Sequence, residues 1–239
     1  MAPARVEGDP MSAPVHTPSI RDLLLDAACE RLAKEGVAGL QARVIASDVG
    51  VSTTALYTHF GNIGGLVAAV SQVSLRRFSD AITSAGITDD PVADMLAMGM
   101  AYRNFAITNR HEYELMFNHA VLRVSRGVRA DVADVPKLLE TPEGLKAYNH
   151  ILGFSTRLVE SGVTRPLEAH LVSTGLWSAL HGFVLLEILG HFLVESSLTI
   201  FGSIAFQMFM GLGIPPERLQ LSMANALTRV TMLPSPARD

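Results

Sequence analysis

Between Ile45 and Gly61 the chain reads IASDVGVSTTALYTHFG, and one short part of it concentrates hydrogen-bonding side chains. Thr53 and Tyr57, and Thr54 and Thr58, are each four residues apart, the spacing of one helical face. Ser52 precedes them and His59 follows. Hydroxyls both donate and accept, and a threonine methyl packs on a thymine methyl, so the set suits the base edges and phosphates of duplex DNA. The stretch holds no Lys or Arg, the residues that normally neutralise phosphates.

Such a face must be held by a helix, a tight turn and a second, exposed helix. Ile45, Ala46, Val49, Val51, Leu56 and Phe60 can supply the buried side. Gly50 suits the turn, where a positive φ excludes most residues. The pattern predicts helices over 42–49 and 53–59, the second capped by Ser52. Ahead of them a helix over 19–34 starts at Ser19 and stops at Gly36, and Gly61-Asn62 breaks the chain before a helix over 63–84.

Helical periodicity continues along almost the whole chain, and no run alternates as strands do. GITDDP at 86–91 marks a boundary. Helices follow at about 92–108, 111–124, 142–161, 166–193, 198–212 and 216–231, with a polar loop and partial helix at 125–144. The expected fold is all-α. It has a disordered arm at 1–18, a three-helix helix-turn-helix unit at 19–66, a linking helix at 63–84, a helical bundle at 67–233 and a tail at 234–239.

The 239 residues are 49% hydrophobic and 18% charged, with a formal charge of -4. That excludes a globally basic nucleic-acid binder and leaves room for a local basic patch. Between residues 20 and 66 Arg21, Arg31, Lys34 and Arg43 stand against Asp22, Asp26, Glu30, Glu35 and Asp48. DNA affinity should therefore depend weakly on salt, with a slope below about 6 in magnitude for a dimer. Cys29 is the single cysteine, which excludes an internal disulfide framework and fits a reducing cytoplasm. It reads as inert core. The proline-rich first residues are no secretory signal.

Ala169–Leu186 and Ser196–Pro216 contain no Asp, Glu, Lys or Arg. Both reach membrane-spanning length. They are interrupted by Ser, Thr, His and Gln and lack a flanking Lys/Arg cluster, so they read as buried helices of a soluble protein rather than spans. A helix apolar all round must be covered by something.

No G-x-S-x-G, phosphate loop or isolated acid/base pair points to an enzyme. His111, His119, His150 and His181 with Glu114 lack metal-binding spacing, so no metal and no cofactor is expected.

Residues 20–70 resemble the tetracycline-repressor (TetR) family of bacterial transcriptional regulators. The resemblance is carried by LLDAA at 24–28, Gly36, IASDVGVS at 45–52, LYTHF at 56–60 and Leu66. It implies base or near-base contacts from Arg43, Thr53, Thr54 and Tyr57, and phosphate contacts from Tyr57 and His59, with Ser52 and Thr58 on the same surface. Many members carry a Lys where Ile63 stands here. The resemblance further implies a homodimer on pseudo-palindromic operator DNA, released by a small effector bound in the bundle.

WSALHG at 177–182 is similar to a W-x3-H-G pattern of one C-terminal subgroup of the family. Trp177, His181, Gly182, Leu185 and Phe206 are candidates for the dimer interface, Gly182 allowing close helix approach. Tyr102, Asn104, His111, Tyr113, Asn118, His119, Asn149, His150, Trp177 and His181 are candidates for the effector pocket. Methionines 95, 98, 100, 116, 208 and 210 suit a mobile apolar lining and hence a hydrophobic effector. The alternatives are a TetR-fold adaptor that reads no sequence and, more remotely, a helical enzyme.

Overall fold

The computed structural model describes residues 18–117 and 141–232. Asn118 and His119 lie outside them, as do the arm to residue 17, the region 118–140 and the tail from 233. The described residues form ten α-helices and one 3-10 turn, with no strand among them.

The order is α1 (Ile20–Glu35), the 3-10 turn Gly36–Gly39, α2 (Ala42–Val49), α3 (Thr53–Phe60) and α4 (Ile63–Thr83). Then come α5 (Pro91–Thr108), α6 (Arg110–Phe117), α7 (Pro142–Glu160), α8 (Ala169–Ile188), α9 (Val194–Gly211) and α10 (Pro216–Met232). Helix boundaries follow side-chain caps. Ser19 and Asp22 form a reciprocal capping box on α1. Ser52, Asn62, Asp90 and Thr141 accept the N–H three residues on at α3, α4, α5 and α7. The expected helix over 166–193 is shorter at both ends, since α8 stops at Ile188 and Gly190 turns the chain at positive φ.

Two apolar cores result. The first joins Leu24, Ala28 and Leu32 of α1, Ile45 and Ala46 of α2, Leu56 of α3, and Leu66, Val67 and Val70 of α4. Leu115 of α6 completes it from outside the sequence of that unit. The second core runs from Leu75 through Tyr102, Phe154 and Phe183 to Ala226. Thus α4 feeds both cores, and α6 does the same, with Leu115 on one side and Tyr113 and Met116 on the other.

Two buried ion-pair clusters tie the bundle. The Asp94 carboxylate of α5 is fully buried between Arg157 of α7 and Arg229 of α10, each at 2.7 Å. Thr88 adds its N–H and hydroxyl at 2.9 and 2.7 Å. Burial alone would raise the Asp94 pKa, but these four donors hold it below the ordinary value. Arg103 of α5 pairs with Glu187 of α8, which also accepts from Ser197 of α9.

The uncharged helices are less covered than their sequence suggests. Only 22% of the apolar window of α8 is buried within the chain. By length and composition α8 could cross a membrane. A Cβ at Gly182 would meet nothing within 4 Å, so among the described residues no helix packs on it.

Candidate nucleic-acid interface and sensor cavity

The helix-turn-helix forms as the sequence predicts, and its geometry rests on two glycines. Gly50 ends α2 in the left-handed region at φ 75° and ψ 27°, a conformation that costs glycine nothing. Gly65 serves another need. A Cβ there would lie 2.0 Å from the Phe60 carbonyl oxygen, so only glycine permits α4 to start this close to the end of α3.

Of the α3 side chains only Leu56 is fully buried. It pins the helix and turns Thr54, Tyr57, Thr58 and His59 outward. Thr53 is half-buried. Two of the predicted contact residues also have internal roles. The Ser52 hydroxyl oxygen caps α3 by accepting from the Ala55 N–H at 3.2 Å. The Thr58 hydroxyl donates to the Thr54 carbonyl at 2.9 Å, which leaves it only as an acceptor for DNA. Arg43 is exposed in the first turn of α2. Ile63 is half-buried against the first core.

In the bundle an apolar cavity of about 60 Å³ lies among α5, α7, α8 and α9. Met95, Met98 and Met208 line it with Phe183, Phe201 and Phe209, and among the described residues no ionisable side chain faces it. Of the polar candidates among the described residues only Trp177 lines this cavity. Asn104 and Asn149 are exposed, and His150 is half-buried off the cavity wall. His111 lies instead against Gly36 at the foot of α1, 3.0 Å from where a Cβ would stand. Met95, Met98 and Met208 of the sequence's methionine set line this cavity, and of the described polar candidates Trp177 does.

Tyr102, Tyr113, Trp177 and His181 do come together. The Trp177 indole N–H donates to the Tyr102 hydroxyl at 3.3 Å. That hydroxyl is 2.9 Å from the Tyr113 hydroxyl, which is 2.7 Å from His181 Nδ1. An indole N–H can only donate. A consistent pattern then runs Trp177 to Tyr102 to Tyr113 to His181, ending on an unprotonated Nδ1. Burial lowers the His181 pKa from its ordinary value and raises those of both tyrosines, so all four groups are neutral at pH 7.

Trp177 and His181 consequently face into the bundle, and both are half-buried. Leu185 and Phe206 are half-buried against the bundle core. The outward face of α8 carries Leu171, Gly175, Ser178, Gly182, Leu186 and Leu189, and Leu193, Val194 and Leu198 continue it onto α9. Val194 is 88% and Leu193 75% exposed.

Cys29 is half-buried, and burial pushes its thiol pKa up to about 11, so it is not a reactive thiolate. No cluster of three or more metal-ligating side chains occurs among the described residues.

Comparison with known proteins agrees with this architecture. Residues 24–70 match the model for bacterial regulatory proteins of the tetR family. Residues 95–202 match the model for the tetracyclin repressor-like C-terminal domain. The uncharacterised HTH-type transcriptional regulator YobS of Bacillus subtilis is 27% identical over 164 residues, covering 69% of this chain and 76% of YobS. A protein of unknown function from Rhodococcus sp. RHA1 superposes with a TM-score of 0.62 at 24% identity, covering 84% of this chain and 99% of that one. The regulator RolR in complex with resorcinol superposes with a TM-score of 0.59 at 16% identity, covering 91% and 96%. With both halves of the chain matched in order, and a helix-turn-helix formed where the first match lies, the chain belongs to the TetR family of transcriptional regulators and is not an enzyme.

Proposed function

We propose that the protein is a homodimeric repressor in the bacterial cytoplasm, held on operator DNA by α3 and released by a small neutral apolar effector. Arg43, Ser52, Thr53, Thr54, Tyr57, Thr58 and His59 form the DNA-contacting set in this reading. The observation that carries it is the placement of α6. Its Leu115 is packed in the core that holds α3, and its Tyr113 is bonded to His181 beside the cavity wall. A shift of α6 is therefore felt by both units.

The effector class follows from the lining. A charged group would lose its hydration with no partner in return, at a cost of several kcal/mol. A free space of about 60 Å³ is also small, since roughly 150 Å³ is needed to take up a benzene. Entry therefore requires Met95, Met98 and Met208 to change rotamer, which thioether side chains do readily. RolR, a distant relative in fold, binds resorcinol, a molecule of this general size.

The outward apolar face of α8 and α9 supports the dimer. Two copies packed about a two-fold axis would cover it, and a two-fold protein suits a palindromic site. Effector binding would change the separation of the two α3 helices away from the roughly 34 Å between successive major grooves.

The test is fluorescence anisotropy on a duplex enriched by the protein from a random pool, with neutral and charged aromatic compounds of similar size added in turn. Release by neutral compounds alone supports the reading. Release by charged compounds alone refutes the effector assignment. Failure to enrich any sequence would favour the adaptor reading, which the acidic balance of residues 20–66 motivates.

A further inference from the structure

The cations of the DNA-binding unit are not equivalent. Arg31 is consumed by a two-pronged pair with Asp48 at 2.7 and 2.8 Å and by a further pair with Glu35. Lys34 pairs with Glu30 at 3.2 Å. Arg21 and Arg43 have no ion pair among the described residues. Arg21 is the more unusual of the two. It stands in the first turn of α1, where the helix dipole disfavours a cation. Folding therefore gains little from its charge, yet its position is defined. The guanidinium lies over the Phe60 ring, 5.2 Å from the centroid.

Phe60 is the last residue of α3, directly after the exposed His59. A ring contact engages the face of a guanidinium and leaves its in-plane N–H groups free. Those donors are the fork that matches phosphate oxygens. The chain cannot open between Phe60 and α4, because Gly65 is closed on the Phe60 carbonyl. The ring, and the cation on it, are thus fixed relative to the reading helix.

We propose that Arg21 is a phosphate-positioning residue: its guanidinium, seated on Phe60 at the end of α3, grips the backbone of the duplex that α3 reads. This rests on the DNA-binding reading of α3. A backbone grip sets register and affinity without choosing sequence. It supplies positive charge that the α3 sequence lacks.

The test compares wild type, R21A and R21K on two duplexes, one enriched from a random pool by the wild-type protein and one of unrelated sequence. Affinity is read by anisotropy from 0.05 to 0.3 M salt, with thermal melting as a control. Each phosphate contact contributes about 0.9 to the salt slope. R21A should lower the slope magnitude by about 1.8 for a dimer and weaken both duplexes by the same factor, about eightfold per contact at 0.1 M salt. Melting should not change, because Arg21 is exposed. R21K should restore the slope and part of the affinity. Unchanged affinity and slope in R21A would overturn the proposal and make Arg21 a solvated surface charge. A loss confined to the enriched duplex, with no change in slope, would overturn it as well. Failure of the wild type to bind either duplex would overturn the DNA-binding reading itself, and the assignment with it.

Discussion

Trp177 and His181, one helical turn apart on α8, are joined by hydrogen bonds through the Tyr102 and Tyr113 hydroxyls, with the Tyr102 hydroxyl also 3.1 Å from His181 Nδ1. Trp177 forms part of the cavity wall, whereas Tyr113 belongs to α6. The network therefore joins the cavity wall to a helix that packs against α1 and α4. The indole N–H can only donate, so displacing it removes one of the three partners of the buried Tyr102 hydroxyl, the others being Tyr113 and His181.

Removing the Tyr113 hydroxyl tests this link. Y113F keeps the ring packing against Tyr102 and Phe117. It should destabilise the protein by about 0.5–1.5 kcal/mol, since the Tyr102 hydroxyl, 3.1 Å from His181 Nδ1, can replace the lost bond. DNA affinity without effector should stay within about twofold, while the effector concentration needed for release rises. Equal sensitivity of Y113F and wild type to the effector in the anisotropy assay would refute the link.

The His181 imidazole gives the link a pH signature. Burial lowers its pKa below 6.5, so the folded state favours the neutral ring. The associated stability is complete above pH 6.5 and is lost as pH falls below it through the depressed folded value. The melting temperature should fall over that window, and H181N, which cannot titrate, should fall less. Parallel curves for the two proteins would contradict this.

Asp94 anchors α5, α7 and α10 and should be the most sensitive position in the bundle. D94N breaks a buried charge cluster and should cost about 3–5 kcal/mol in denaturant unfolding. Because its folded pKa is depressed, the Asp94 contribution is complete above about pH 4 and is lost as pH falls further. D94N should therefore flatten the acid limb of the stability curve.

Gly65 tests the α3–α4 junction. G65A places a methyl 2.0 Å from the Phe60 carbonyl, so the junction must shift. A loss of about 1–3 kcal/mol is expected, with DNA affinity falling more than stability alone explains. A G65A protein with wild-type affinity and melting would show that the close approach is dispensable.

The helix-turn-helix was largely legible because local chemistry determines it. Ser52, Gly50 and the Leu56 repeat act within a few residues, and the helix boundaries they imply agree to within one residue. The bundle was legible only as helices. Pairings such as Asp94 with Arg157 and Arg229 span 63 and 135 residues, and no local pattern announces them. The same holds for the apolar cavity. Asn104 and Asn149 looked informative because they are polar, but polar side chains on helices mostly meet solvent. Gly182 shows the same limit, since among the described residues nothing lies within 4 Å of a Cβ there. Sequence shows that a glycine permits close approach, not whether the approaching helix belongs to the same chain.

Enrichment of bound sequences from a random duplex pool at 0.05 M salt tests the central claim most directly. The account predicts an inverted repeat with half-site centres about 34 Å apart, or a multiple of that spacing, bound with a salt slope below about 6 in magnitude. No enriched sequence, or a slope near -10, would contradict it.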